Sequence, residues 1–238
     1  MISNKAFILA AGFGKRMRPL TNDIPKPMVK VQGTPMIDLA LDKLHAAGID
    51  ECVINTHYKA KILEKHLKNR EAPKIHLSHE PEILDTGGGI KNAIAHFSDP
   101  FFILSGDSVW EDASESNTLE TLKAAWNPEH MDILMLLQPV ETMTLTKGVG
   151  DYDIDEHGRA VRSLDKTGRY MFTSIRINAP SVFEGAPDEP FNYRDLMDIA
   201  QEKGRLFGLV HKGAWHHIST PEDLEAVNKN LESDHKRG

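Results

Sequence analysis

Short apolar runs alternate with longer amphipathic ones through the first half of the chain. Ala6–Leu9 is apolar, brief and stopped by a glycine turn, which predicts a buried strand. Met36, Ala40, Leu44 and Ala47 recur at helical spacing, with Gly48 placed as a C-cap. Cys52–Asn55 reads as a strand, Ala60–Lys68 as a helix and Ile75–Leu77 as a short strand. Ile90–His96 reads as a helix opened by a glycine run, and Phe101–Leu104 and Ile133–Leu137 as further buried strands. This βαβα order predicts an α/β fold, a mostly parallel sheet with helices on both faces.

The pattern changes in the second half. "GDYDID" alternates, and "AVRSL" and "MFTSIRI" predict short strands with few helices between them. These suggest a smaller sheet-rich lobe over the carboxyl edge of the main sheet. Arg194–Lys203 and Pro221–Leu231 predict closing helices, and the charged tail after Leu231 is expected to fray. A single domain results, with one half at about 1–138, the lobe and closing helices at about 139–231 and a tail at 232–238.

Composition narrows the partners. The chain has 238 residues, enough for a sizeable core. A net charge of −7, with Lys236–Arg237 as the one basic block, argues against nucleic acid. Cys52 is the single cysteine, which excludes an internal disulfide and fits a reducing compartment. The apolar run Ala6–Ala11 is too short for a signal-peptide core, and no run is long enough to span a bilayer. A cytoplasmic protein without membrane contact is expected.

Candidate chemistry starts at "AAGFGKRMRP", residues 10–19. A tight strand-to-helix turn accounts for the glycines alone. A dinucleotide fingerprint fails, because Met17 stands where the last glycine is required, and a P-loop fails for want of G-K-[ST]. Close backbone approach to a phosphate or base at a strand's carboxyl end fits better. Lys15, Arg16 and Arg18 then neutralise a polyphosphate. Lys26 sits between Pro25 and Pro27, a stiff mount for a flexible ammonium.

The stretch "AAGFGKRMRPLTNDIPKPM" closely resembles the signature G-x-G-x-R-[ML]-x-P-L-T…P-K-P of the sugar-1-phosphate nucleotidyltransferases. The resemblance runs from about Lys5 to Leu231. "ILDTGGGI", residues 83–90, points to the branch of short bacterial N-acetylmuramate 1-phosphate uridylyltransferases and mannose-1-phosphate guanylyltransferases. It implies a Rossmann-like sheet, so that 1–138 is the nucleotide-binding half and 139–231 carries the sugar-binding lobe.

Individual positions follow from the resemblance. Ala10, Ala11, Gly12 and Gly14 would approach the nucleotide, with Gly87 and Gly88 edging base and sugar and Glu80 near a base contact. Asp107 of "SGDS" corresponds to a Mg²⁺ ligand; strand-end turns also use Asp for purely structural reasons. "LDKTGRYMFTSI" resembles the family's "E-K-P…AG-I". Asp165 would take the acidic sugar-hydroxyl role, Lys166 would meet the sugar phosphate, and Thr173 belongs to the same sugar-phosphate set. Thr167 replaces the usual Pro and Ser174 a usual Gly. A solvated Asp165–Lys166 surface pair is the plainer reading. "AWHHIST" matches "W-x-D-[IV]-G-T", with His217 at the second metal ligand and Ser219 at the Gly. Imidazole suits Mn²⁺ or Co²⁺ better than Mg²⁺.

The implied reaction joins a nucleoside triphosphate to a sugar 1-phosphate and releases pyrophosphate. Arg16, Lys26 and Asp107 would be its catalytic residues and Mg²⁺ its cofactor. UTP with N-acetylmuramate 1-phosphate or a similar sugar is the expected pair, GTP with mannose 1-phosphate the alternative. A non-catalytic nucleotide-sugar sensor is the alternative of another class, and a hydride-transfer enzyme is disfavoured by Met17.

Overall fold

The computed structural model describes residues 1–114 and 116–235. β1 (Lys5–Leu9) leads through the glycine–cation segment to a small hairpin of β2 (Lys30–Val31) and β3 (Thr34–Pro35). Then follow α1 (Met36–Ala46), β4 (Glu51–Thr56), α2 (Ala60–Leu67), β5 (Lys74–His79) and α3 (Asp85–Asn92). β6 (Phe101–Ser105), β7 (Val109–Glu111), α4 (Thr118–Ala125) and β8 (Ile133–Pro139) complete the first half. β9 (Tyr152–Ile154), β10 (Ala160–Arg162), β11 (Tyr170–Asn178) and α5 (Tyr193–Glu202) come next. β12 (Leu206–Val210), β13 (Ala214–His216) and α6 (Pro221–His235) close the chain.

The sheet's centre is parallel. β1 pairs with β4 on one side and β6 on the other, and β5 extends beyond β4. β11 enters antiparallel between β6 and β8, and β12 pairs parallel with β8. Successive side chains point to opposite faces of a strand, so each central strand feeds two cores. Phe102 and Leu104 of β6 join Ile37, Leu41 and Leu44 of α1 and Leu119 and Leu122 of α4. Phe101 and Ile103 face the other way, toward Ile90 of α3 and Leu196 and Met197 of α5. The sheet is therefore covered on both faces, as expected. α1 stops as its sequence implies: Gly48 takes φ +75° and its N–H donates to the His45 carbonyl at 2.9 Å.

Two readings need correction. The glycine run is not a lead-in to a helix at Ile90; it is the body of α3, which starts at Asp85 and ends at Asn92. Tertiary contact overrides glycine's poor helix propensity here. A methyl group on Gly87 would lie 2.2 Å from the Phe191 ring, and the Gly87 N–H donates to the Phe191 carbonyl at 2.9 Å. Gly87→Ala therefore overpacks this contact and should cost about 1–3 kcal/mol, lowering Tm by roughly 3–10 °C in a thermal melt. An unchanged Tm would show that Phe191 moves aside freely.

The second-half strands are continuous with the main sheet. β9 and β10 extend the main sheet through the amino-terminal end of β11, whose pairing with β8 shifts register between Phe172 and Arg176. The tail does not fray at Leu231, because α6 continues to His235; residues 236–238 lie outside the described part. The short elements β7, β12 and β13 and helix α4 have no counterpart in the sequence reading. Among the described residues no helix is long and apolar enough to cross a membrane.

Candidate active site

Gly106 N–H donates to the Leu9 carbonyl at 2.8 Å, which ties the β6 exit to the β1 exit. An open cavity of about 430 Å³ lies beyond these carboxyl ends, where α/β sheets bind ligands. Ala10, Ala11, Gly12 and Gly14 form one wall. Gly14 is required twice: its φ is +60°, and a Cβ there would stand 3.1 Å from Cβ of Lys26. The turn is pinned by Thr21, whose hydroxyl donates to the Gly14 carbonyl at 2.8 Å.

Lys26 opens a short 3₁₀ turn, Lys26–Met28, with Pro25 extended before it and Pro27 buried after it. The prolines hold the stem and aim the ammonium at Asp107, with which it forms a partly buried ion pair. Ser105 donates a hydrogen bond to the other Asp107 oxygen. Burial works against charge on Asp107, but the Lys26 ammonium and the bonds from Lys26 and Ser105 prevail and hold its carboxyl below the usual carboxylate range.

His217 is brought to this corner by pairing of β13 with β7. His216 lies opposite Val109, so the next residue, His217, runs toward Asp107, two residues before β7. His216 itself is buried and meets Glu111 at 2.7 Å. Burial lowers the His217 pKa, and the positive charges of Lys26 and Arg16 lower it further. Arg16 is exposed on the 3₁₀ turn Lys15–Met17, held from beneath by buried Met17. Neither the Arg16 nor the His217 side chain is in the cavity wall. Among the described residues no three His, Cys, Asp or Glu groups cluster as a metal cage. Asp107 and His217 suit a divalent cation that arrives on substrate phosphates and keeps its waters.

Glu80 lines the cavity although the residue is fully buried. Its carboxylate accepts from Asn55 Nδ2 at 2.7 Å and from the Leu84 N–H at 3.0 Å. Asn55 Oδ1 in turn accepts from the Ala10 N–H at 2.6 Å, so Glu80 fixes the loop before α3 against the β1 exit. Gly87 and Gly88 are buried against the Phe191 segment and do not line the cavity.

The opposite wall departs further from expectation. Lys166 lines the cavity, but its ammonium pairs with Asp151 at 2.7 Å. Asp165 is exposed and turned into its own loop, accepting from Ser163 at 2.7 Å and from the Thr167 hydroxyl at 2.8 Å, which hold its carboxyl low. The acid in the wall is Asp151, a residue sequence reasoning passed over. Thr173 is fully buried in the β11 irregularity, where its hydroxyl donates to the Leu136 carbonyl at 2.9 Å; neighbouring Ser174, at φ +68°, lines the cavity instead.

Arg162, Arg176 and Arg194 also line this wall unannounced. The signal for Arg176 was present: a charge at an alternating position of the apolar run "MFTSIRI". Arg176 is 2% exposed, and its guanidinium stacks 3.9 Å from the centroid of the Tyr193 ring. The arrangement as a whole offers two anion-handling ends, Lys26 with Asp107 and Lys166 with Asp151, across one cavity.

The nucleotidyl transferase family profile matches residues 5–234. An N-acetylmuramate alpha-1-phosphate uridylyltransferase of Caulobacter vibrioides is 37% identical over 234 residues, covering 95% of this chain and 96% of that protein. A mannose-1-phosphate guanyltransferase beta-B of Xenopus laevis is 29% identical over 92% of this chain and 62% of that longer protein. Among solved structures, a UDP-glucose pyrophosphorylase complexed with UDP-glucose shares the fold at a TM-score of 0.78 and 19% identity, over 98% of this chain and all of that one. With the profile covering nearly its whole length, the chain belongs to the nucleotidyl transferase family.

Proposed function

We propose that the protein transfers a uridylyl group from UTP to N-acetylmuramate 1-phosphate, or a closely similar sugar 1-phosphate, with Mg²⁺ as the cation. The observation that carries this reading is the single cavity joining the glycine turn and the Lys26–Asp107 pair to the Lys166–Asp151 pair. A triphosphate and a second phosphate ester require two such ends facing each other. The choice of uracil and of this sugar rests on the 37% identical relative.

An oxygen of the sugar phosphate attacks the α-phosphorus of UTP. That new P–O bond replaces the bond to the bridging oxygen, and pyrophosphate leaves. The attacking oxygen is already ionised near neutral pH, so no general base is needed. The protein's work is positioning and charge neutralisation. The glycine turn brings backbone N–H groups to the nucleotide. Lys26 meets the negative charge around the α-phosphate, and Arg16, exposed on its turn, meets the departing pyrophosphate. Lys166 holds the sugar phosphate, while Asp151 fixes the lysine. Asp107 and His217 would hold the Mg²⁺, which supplies charge neutralisation on the phosphate oxygens when bound.

Pyrophosphate release measured over a panel of nucleotides and sugar phosphates tests the pairing. UTP with N-acetylmuramate 1-phosphate should give the highest kcat/KM. A higher value for GTP with mannose 1-phosphate would overturn the assignment of base and sugar. Release from no pair would leave a nucleotide-sugar binder.

A further inference from the structure

Four cations line the sugar side of the cavity: Arg162, Lys166, Arg176 and Arg194. Two are matched within the protein. Arg162 is paired with Asp198 and Lys166 with Asp151. Among the described residues no ion pair engages Arg176 or Arg194. Arg194 is exposed, so water solvates it. Arg176 is not: it is 2% exposed, it donates one hydrogen bond, from Nη1 to the Ser174 carbonyl at 3.2 Å, and its Nε and Nη2 have no partner.

A buried guanidinium keeps its charge, and an unmatched buried charge is among the most costly features a fold can carry. Stacking on Tyr193 offsets part of that cost and locks the plane of the group. The Tyr193 hydroxyl is held in turn by Asn178 at 2.6 Å. The orphaned nitrogens are not a random pair. Nε and Nη2 present the side-on edge of the guanidinium, whose parallel N–H bonds match the two oxygens of a carboxylate. Both nitrogens are closed to solvent, with the Phe172 ring centroid 5.7 Å from the guanidinium carbon, so water does not satisfy them and a carboxylate engages them when a side chain of the cavity wall turns aside.

We infer that Arg176, with Arg194 at the rim, forms a carboxylate-binding subsite that selects sugar 1-phosphates carrying an acid group on the sugar. The inference rests on the proposed nucleotidyl transfer and assigns the residue that reads the sugar. The 1-phosphate has Lys166 to meet it, so the guanidinium edge is left for a second anion on the same molecule. Selection works by difference. A neutral sugar leaves Arg176 buried and unmatched, whereas an acidic one satisfies it.

The test compares N-acetylmuramate 1-phosphate with N-acetylglucosamine 1-phosphate, which lacks the carboxylate, each with UTP. The readout is the ratio of their kcat/KM values in wild type, Arg176→Met, Arg176→Lys and Arg194→Gln. Wild type should favour the acidic sugar. Arg176→Met should cut the ratio by about 10- to 100-fold, the usual worth of a charged hydrogen-bonded pair. Arg176→Lys, which keeps charge but loses the edge, should fall between, and Arg194→Gln should cut the ratio less. A ratio unchanged in all three variants, or a wild type that favours the neutral sugar, overturns the subsite. An equal loss for both sugars does the same, since it means that Arg176 serves the phosphate or the fold. If Arg176→Met does not fold, Arg176→Lys and Arg194→Gln decide. If neither sugar supports pyrophosphate release, the proposed reaction fails separately, and calorimetric binding of the two sugar phosphates reads the subsite. Tighter binding of the acidic sugar that is reduced in Arg176→Lys supports it, and equal binding refutes it.

Discussion

Asp107→Asn should abolish measurable nucleotidyl transfer while the protein still folds. The substitution keeps size and shape but removes the negative charge. Lys26 then loses the partner that holds its ammonium at the cavity wall, and the corner loses a carboxylate for a cation. Two preorganised elements fail together, so a fall in kcat of at least about 10³-fold is expected, the upper end for removing one such group. The hydrogen bond from Ser105 survives, because an amide oxygen accepts as a carboxylate does. Pyrophosphate release at saturating substrates reads the rate, and circular dichroism confirms folding. Wild-type turnover in this variant would remove Asp107 from the mechanism.

Lys26→Met should lower kcat by about 10²- to 10³-fold and raise KM for the nucleotide less. Methionine fills the channel beside Gly14 that the lysine stem occupies, so packing is largely kept. What disappears is a cation whose position is set before substrate arrives. Its backbone is held by Pro25 and Pro27, and its head by Asp107. Little ordering is therefore left to the moment of reaction, and the loss should fall on the chemical step. A variant with normal kcat and raised KM would make Lys26 a binding residue with equal effect on ground and transition states.

The parallel half of the fold was legible because its strands are unbroken apolar runs and its helices keep a clean period. β1, β4 and β6 and helices α1 and α2 lie where their patterns place them. α3 was misjudged because three glycines look like a flexible lead-in, and only the Phe191 ring explains them. β7, β12 and β13 are short, and pairing partners rather than local pattern define them. The signature residues Gly14, Lys26 and Asp107 converge as their motif implies. The Lys166 wall of the cavity was harder. Asp165 and Lys166 are adjacent in sequence yet point to different places, since Lys166 takes φ +64° and reaches Asp151. Thr173 and Arg176 exchange importance because a register shift in β11 buries the first and leaves the second against the cavity. A pairing irregularity leaves no mark in residue type, but an arginine inside "SIRI" does.

The most direct test of the central claim follows both phosphates at once. Phosphorus NMR of the wild-type protein with UTP, N-acetylmuramate 1-phosphate and Mg²⁺ should show the sugar phosphate resonance lost one for one with the gain of a sugar-linked diphosphate and of pyrophosphate. Neither substrate alone should change. Breakdown of UTP with the sugar phosphate untouched, or no change with any nucleotide and sugar phosphate supplied, would contradict nucleotidyl transfer between the two ends of this cavity.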